Sequence, residues 1–149
     1  MKGLNRLRRE RSAKVAPRFA VADMGGGEYE LALYGEVMED VPRDWFTGEP
    51  TGEQATTTVA INEQMAALKD ASHVTVRLNS CGGDLYAGLA IYSALKALDA
   101  DVTVRIEGIA ASAASVIACA GDEVVAGPGS IFMVHEGALG LMGFYTPDA

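Results

Sequence analysis

Ser112 lies between a run typical of a buried strand, 102–106, and an apolar run typical of a helix, 116–120. A glycine and a cluster of small residues, 108–115, connect the two runs. This order places Ser112 at or near a helix N-terminus, where unpaired backbone N–H groups and the helix dipole favour negative charge. A serine held there can act as a nucleophile, or it can simply cap the helix. The stretch by itself leaves both interpretations open.

A second strand-to-helix turn carries the consecutive glycines Gly82 and Gly83, after the apolar run 73–78 and before the helical pattern 85–99. Ligands in open α/β sheets bind beyond the carboxyl ends of the strands, so we expect this turn and Ser112 to face one cleft. Glycines leave backbone N–H groups uncovered, which suits donors to an oxyanion. A tight turn without chemistry is the alternative.

His135 ends the apolar run 131–135 and is a candidate for the base that a weak serine nucleophile needs. A histidine that closes a buried strand can also be a core residue with satisfied hydrogen bonds. The other histidine, His73, begins a strand in a polar setting, and we expect it on the surface.

The order of these patterns predicts an α/β fold with repeated β-α-β units and a mostly parallel sheet. The expected elements are strands at 29–35, 73–78, 102–106, 123–126 and 131–135, with helices near 56–68, 85–99 and 113–120. Thr56–Thr58 supplies N-cap candidates for the first helix. We expect a flexible joint at 24–27, and a turn-rich excursion at 38–55 that Trp45 and Phe46 pin to the core or offer to a partner.

The chain of 149 residues is about one domain long, is 49% hydrophobic, and has no apolar run near the length of a membrane span. We therefore expect a soluble protein that does not interact with membranes. We also expect self-association through apolar side chains such as Leu31, Leu33 and Leu95.

Charge is unevenly distributed along the sequence. Residues 1–18 hold seven of the 12 basic residues, and residues 19–149 hold 5 basic and 19 acidic residues, a net charge of −14. A body this acidic repels a phosphate backbone, so we expect no nucleic-acid binding. Residues 1–18 lack the apolar segment of an export signal, and we expect them to form a disordered basic leader. Cys81 and Cys119 have no metal-ligand spacing and fit a cytoplasmic protein with reduced thiols.

Four ordered motifs together resemble the proteolytic subunit of the Clp protease, ClpP. They are Asn79–Gly83, Ala87–Tyr92, Gly108–Ser112 and Met133–His135, within a resemblance that runs from about Tyr29 to Glu136. The segments 110–115 and 120–124 look most similar to the ClpP-like head maturation proteases of phages and prophages.

The resemblance implies a serine endopeptidase with Ser112 as nucleophile and His135 as general base. It assigns the oxyanion hole to the backbone N–H groups of Gly83 and Ala113, with Gly82 shaping the turn. It implies no metal and no cofactor. The implied partners are a peptide or protein substrate, further copies in a homo-oligomeric ring, and an ATP-dependent unfoldase or phage capsid proteins.

Two departures from the family pattern affect this interpretation. Cys81 stands where the family usually has proline, and the third triad member, an aspartate on a downstream segment, is not found. The chain ends 14 residues after His135, and Asp148 is not assigned that role, so we expect 19–149 to be a protease domain truncated at its C-terminus. The alternatives are a catalytically inactive structural or assembly subunit and a crotonase-type acyl-CoA enzyme.

Overall fold

The computed structural model describes residues 19–40, 43–44, 46–49 and 55–137. Its strands are β1 (Phe19–Gly25), β2 (Glu28–Tyr34), β3 (Val37–Met38), β4 (Thr56–Thr57), β5 (His73–Ser80), β6 (Asp101–Ala111), β7 (Glu123–Ala126) and β8 (Ile131–Met133). Its helices are α1 (Thr58–Met65), α2 (Leu85–Lys96) and α3 (Ala113–Ala118), and a 3-10 turn, Ala66–Leu68, follows α1.

The main sheet runs in the order β1-β2-β5-β6-β7. All its pairings are parallel except the β1–β2 hairpin. The long strand β6 pairs with two strands in succession, with β7 along Thr103–Ile106 and with β8 along Ile109–Ala111. This arrangement confirms the predicted α/β fold with a mostly parallel sheet. It also makes β6 the strand that delivers Ser112.

One face of the sheet holds the hydrophobic core beneath the helices. Alternate residues of β5 are buried, as the period of a strand with one covered face requires. The fully buried large side chains of the core are Leu31, Leu33, Ile61, Leu68, Leu78, Ile91, Leu95, Ile117, Val37, Val74, Val76 and Val104. Leu31, Leu33 and Leu95 are therefore core residues, and the expectation that they form contact faces between copies is wrong.

The opposite face carries a network of charges across three strands. Arg77 on β5 donates to Glu30 on β2 over 2.9 Å and to Glu107 on β6 over 2.7 Å. Its guanidinium lies 5.8 Å from the ring centre of Tyr34, whose hydroxyl donates to Glu107. The hydrogen bonds from Arg77 hold the pKa of Glu107 below its ordinary value.

The predicted flexible joint at 24–27 is the turn of the β1–β2 hairpin. Gly25, Gly26 and Gly27 adopt φ values of +85°, +67° and +86°. This left-handed backbone conformation is unfavourable for any residue that has a Cβ. The sequence analysis therefore missed β1, because it assigned the glycines to a linker rather than to a turn between paired strands. Residues 1–18, the expected leader, lie outside the described residues.

Other expectations differ in detail. Phe46 is 87% exposed, so the prediction that it pins the excursion to the core is wrong, and Trp45 lies outside the described residues. Thr57 caps α1 by accepting from the N–H of Ala60 over 3.1 Å, which confirms the predicted cap. Val59 of α1 is 45% exposed, so its side chain lies outside the buried apolar face of that helix.

The core packing of α2 can be tested with two leucines of the same helix. Leu95→Ala should lower the free energy of unfolding by about 2–5 kcal/mol, because it leaves a cavity under the sheet. Leu89, which is 43% exposed, provides the matched control, and Leu89→Ala should cost clearly less. Urea unfolding followed by circular dichroism measures both; equal losses would contradict the assigned burial.

The charge network predicts a pH dependence of stability. Because the pKa of Glu107 is lowered in the folded state, its contribution is present above the ordinary glutamate pKa and is lost as the pH falls through the lowered value. Glu107→Gln should therefore reduce stability at pH 7 and flatten its decline below about pH 5. Glu123→Gln, an exposed acid on β7, is the charge-matched control and should leave the decline unchanged. Thermal unfolding between pH 7 and pH 3 gives the comparison.

Candidate active site

Ser112 occupies a strained turn between β6 and α3. Its backbone has φ 54° and ψ −125°, and among the described residues it is the one non-glycine with positive φ. A sharp strand-to-helix turn of this kind exposes a nucleophilic serine in other hydrolase folds. The side chain makes no capping bond to the helix, so the interpretation as a simple cap is wrong. The carbonyl of Ser112 instead accepts from the hydroxyl of Ser115 over 2.6 Å.

The glycine turn touches the serine turn directly. A Cβ placed on Gly82 would lie 2.5 Å from the carbonyl oxygen of Ala111, 2.8 Å from Cβ of Ser112 and 2.9 Å from the amide nitrogen of Ala113. Gly82 also has φ +93°. The predicted proximity of the two turns is confirmed, and only glycine fits at this contact.

A short strand clamps the glycine turn from its other side. The N–H of Val37 donates to the carbonyl of Gly82 over 2.9 Å, and the N–H of Asp84 donates to the carbonyl of Val37 over 2.8 Å. A Cβ on Gly83, where φ is +147°, would collide with the carbonyl oxygen of Val37. The β3 segment therefore fixes the direction in which the backbone of Gly83 points.

Two backbone donors remain without acceptors at this contact. Within the described segments, neither the N–H of Gly83 nor the N–H of Ala113 makes a hydrogen bond. The amide nitrogen of Ala113 lies 2.9 Å from where Gly82 would carry a Cβ, and Gly83 is the next residue. Unused donors on both sides of a serine are what an oxyanion hole requires.

Two polar side chains at the end of β5 accept hydrogen bonds from the glycine turn and from β6. The hydroxyl of Ser80 accepts from the N–H of Gly82 over 3.0 Å, and Oδ1 of Asn79 accepts from the N–H of Ile109 over 3.1 Å. The second bond spans a bulge, because the register moves from Leu78↔Ile106 to Ser80↔Ala110. The sequence analysis quoted Asn79 and Ser80 within a motif but gave them no positioning role.

The chain that carries His135 reaches the serine turn through β8. The N–H of Ser112 donates to the carbonyl of Met133 over 3.0 Å, two residues before His135. The strand ends at Met133 rather than at the predicted residue 135, and His135 is exposed rather than buried. In the described part of the chain, no hydrogen bond joins its ring to Ser112.

The ring of His135 nevertheless has a favoured tautomer. Its Nδ1 lies 2.6 Å from the carbonyl oxygen of Glu136. A carbonyl oxygen only accepts, so in the neutral imidazole this contact favours the proton on Nδ1 and the lone pair on Nε2. This is the tautomer that a general base with a free Nε2 requires.

No carboxylate among the described residues bonds to the ring of His135. Asp122 accepts from the N–H of Val102 over 2.9 Å and from Lys96 over 3.0 Å. These two bonds hold its pKa below the ordinary value and tie α2 to β6. Asp148 lies outside the described residues, so the third triad member remains unassigned.

Metal and membrane features are missing from the described segments. They hold no group of three or more His, Cys, Asp or Glu side chains that is arranged to bind a metal ion. None of the helices described has the length and apolarity needed to cross a membrane.

A family model and individual relatives of known name match this sequence and indicate the same family. The family model for Clp protease matches residues 32–148. The ATP-dependent Clp protease proteolytic subunit of Deinococcus radiodurans is 33% identical over 133 residues, which cover 87% of this chain and 64% of that protein. The subunit of the same name from Ligilactobacillus salivarius is 33% identical over 122 residues, 80% of this chain and 61% of that protein.

Solved structures share the fold. ClpP1 from Listeria monocytogenes matches with a TM-score of 0.54 at 23% identity, over 73% of this chain and 56% of that chain. An enoyl-CoA hydratase from Shewanella pealeana matches with a TM-score of 0.53 at 11% identity, over 77% of this chain and 48% of that chain. The chain spans about 64% of the length of the curated relative from Deinococcus radiodurans. The family model matches most of the chain, and a third of the aligned residues are identical to those of these relatives, so the chain belongs to the Clp protease family.

Proposed function

We propose that this chain is a serine peptidase that hydrolyses peptide bonds with Ser112 as nucleophile and His135 as general base. The observation that carries the proposal is the pair of unused N–H donors, on Gly83 and Ala113, beside a serine in a strained turn. The family membership supports the same reaction.

The proposed reaction gives each of these groups one role. Oγ of Ser112 attacks the scissile carbonyl carbon while its proton passes to Nε2 of His135, and the carbonyl oxygen becomes an oxyanion bound by the N–H groups of Gly83 and Ala113. The tetrahedral intermediate expels the amine, which takes the proton from His135. Water then attacks the acyl-enzyme, with His135 again as base, and releases the acid and free Ser112.

The partners belong to the same proposal. The relatives are named as proteolytic subunits of an ATP-dependent protease, so we assign this chain a peptide or protein substrate and an ATP-dependent unfoldase as partner. Cutting capsid proteins during phage or prophage head maturation is the finer role that we propose from the motif resemblance. We place the protein in the cytoplasm, as a homo-oligomeric ring whose protease domain spans 19–149 after a basic leader, 1–18.

Two other functions use the same fold. A crotonase-type acyl-CoA enzyme also needs paired N–H donors at an oxyanion, and the enoyl-CoA hydratase match shows the shared fold. A catalytically inactive assembly subunit fits the exposed ring of His135, which bonds Glu136 rather than Ser112. The reactivity of Ser112 distinguishes both functions from a peptidase.

A fluorophosphonate probe tests the nucleophile. We expect a single adduct on the wild-type chain by intact-mass spectrometry, because Ser112 lies in a strained turn beside two N–H groups that have no acceptor among the described residues. Ser112→Ala should remove the adduct completely. Ser115→Ala is the matched control, because its hydroxyl donates to a carbonyl and it should leave labelling within about tenfold of wild type.

The outcomes of this labelling separate the three functions. An adduct at Ser112 together with cleavage of casein or peptides supports the peptidase. No adduct, in this chain and in one extended beyond Ala149, would contradict it and favour the inactive subunit. Turnover of acyl-CoA thioesters that survives Ser112→Ala would favour the crotonase-type enzyme.

Self-association is expected from the apolar side chains that this chain leaves exposed. These side chains belong to α2, β7, β8 and the residue after it: Leu85, Tyr86, Leu89, Val124, Val125, Ile131, Phe132, Met133 and Val134. Multi-angle light scattering at micromolar concentration should give a mass several times the 15.6 kDa of one chain. A monomer under these conditions would contradict the expectation.

A further inference from the structure

A cavity of about 650 Å³ adjoins the glycine turn, and most of the residues that line it have no role in the proposed reaction. Gly82 and Gly83 form one wall, so an occupant of the cavity contacts the turn that carries one of the proposed oxyanion donors. Tyr34 and Ile109 provide apolar surface, and Glu36 provides a carboxylate. We call it the Glu36 cavity.

Glu36 lies directly against the glycine turn. Its Cγ is 3.1 Å from where Gly83 would carry a Cβ, and the next residue, Val37, bonds the backbone on both sides of Gly83. The aliphatic part of the side chain is therefore held by the turn, and the carboxylate is exposed. A carboxylate that lines this cavity and has no ion-pair partner among the described residues can bind a cationic group of a substrate.

The chain supplies no cation for Glu36 within its described residues. The basic residues of 19–149 interact with other carboxylates: Arg43 with Asp40, Lys69 with Asp70, Arg77 with Glu30 and Glu107, Lys96 with Asp122, and Arg105 with Glu107. Among the described residues, the carboxylate of Glu36 thus has no cation to pair with.

The walls of the cavity match one class of substrate side chain. Lysine and arginine bury an aliphatic stem along apolar surface and place the charge at its end. Tyr34 and Ile109 suit the stem, and Glu36 suits the charge. The net charge of −14 over residues 19–149 also attracts basic peptides.

We propose that the Glu36 cavity binds a lysine or arginine side chain of the substrate next to the bond that is cut, and that Glu36 sets this specificity. The proposal rests on the proposed peptidase function and names the substrate class of that site. A basic side chain in the cavity positions the peptide so that its scissile carbonyl reaches Ser112 and the N–H of Gly83.

Binding and cleavage are measured separately to test the proposal. Fluorescein-labelled decapeptides carry lysine, norleucine or glutamate at each of three positions on either side of one bond. Their binding is measured with the Ser112→Ala variant, which cannot cut them. Fluorescence anisotropy should show lysine preferred over norleucine by roughly three- to tenfold at one position, and glutamate disfavoured. Raising the salt concentration should reduce the preference, because the attraction is between charges.

Two substitutions that remove the same charge identify the residue responsible. In the Ser112→Ala background, Glu36→Gln should abolish the lysine preference. Glu39→Gln removes an exposed acid outside the cavity and should retain it. Any one of three results would overturn the proposal. They are a lysine preference that survives Glu36→Gln, equal affinity for the lysine and norleucine peptides, and no peptide binding.

Cleavage of the same peptides tests the peptidase activity separately from the specificity of the cavity. The wild-type chain should cut the lysine peptide with a higher kcat/KM than the norleucine peptide. Glu36→Gln should lower kcat/KM for the lysine peptide to about the value for the norleucine peptide. Selective binding without fluorophosphonate labelling or cleavage would contradict the peptidase and still support the cavity. Labelling and cleavage without lysine selectivity would overturn the cavity and leave the peptidase intact.

Discussion

The close approach of Gly82 to the end of β6 is the contact on which the site depends. With any side chain at this position, the backbone of Ala111–Ala113 would have to move away, because a Cβ there would lie 2.5 Å from a carbonyl oxygen. Gly88 on α2 repeats the constraint, since its Cβ would meet Ala113 at 3.1 Å. Because Gly82 and Gly88 have no side chains and the residues next to Ser112 are alanines, the backbones of the two strand-to-helix turns can pack in direct contact.

This packing explains how the chain tolerates strain at Ser112. Ala110, Ala111, Ala113 and Ala114 are all at most 1% exposed, so the residues on both sides of the serine are fixed in the core. A non-glycine residue with positive φ costs about 1–3 kcal/mol and persists only where its surroundings hold it in place. The same packing leaves the N–H groups of Gly83 and Ala113 without partners, where an oxyanion can use them.

The two faces of the sheet serve the site differently. The apolar face fixes the register of β5 and β6, and with it the meeting of the two turns. The charged face, through Arg77, joins β2 to β6 and holds Tyr34 beside the Glu36 cavity. The five described cations interact with other acids, so none of them neutralises the charge at Glu36.

The sequence by itself determined the order of elements, the two turns and the identity of Ser112, His135, Gly82 and Gly83 as candidates, because hydrophobic period and small-residue spacing are local properties. It missed the β1–β2 hairpin and the burial of individual side chains such as Phe46. Contact between the turns and the unused N–H donors were decided only by the tertiary structure. They depend on residues far apart in the chain, and local pattern carries no information on the distances that packing sets between such residues.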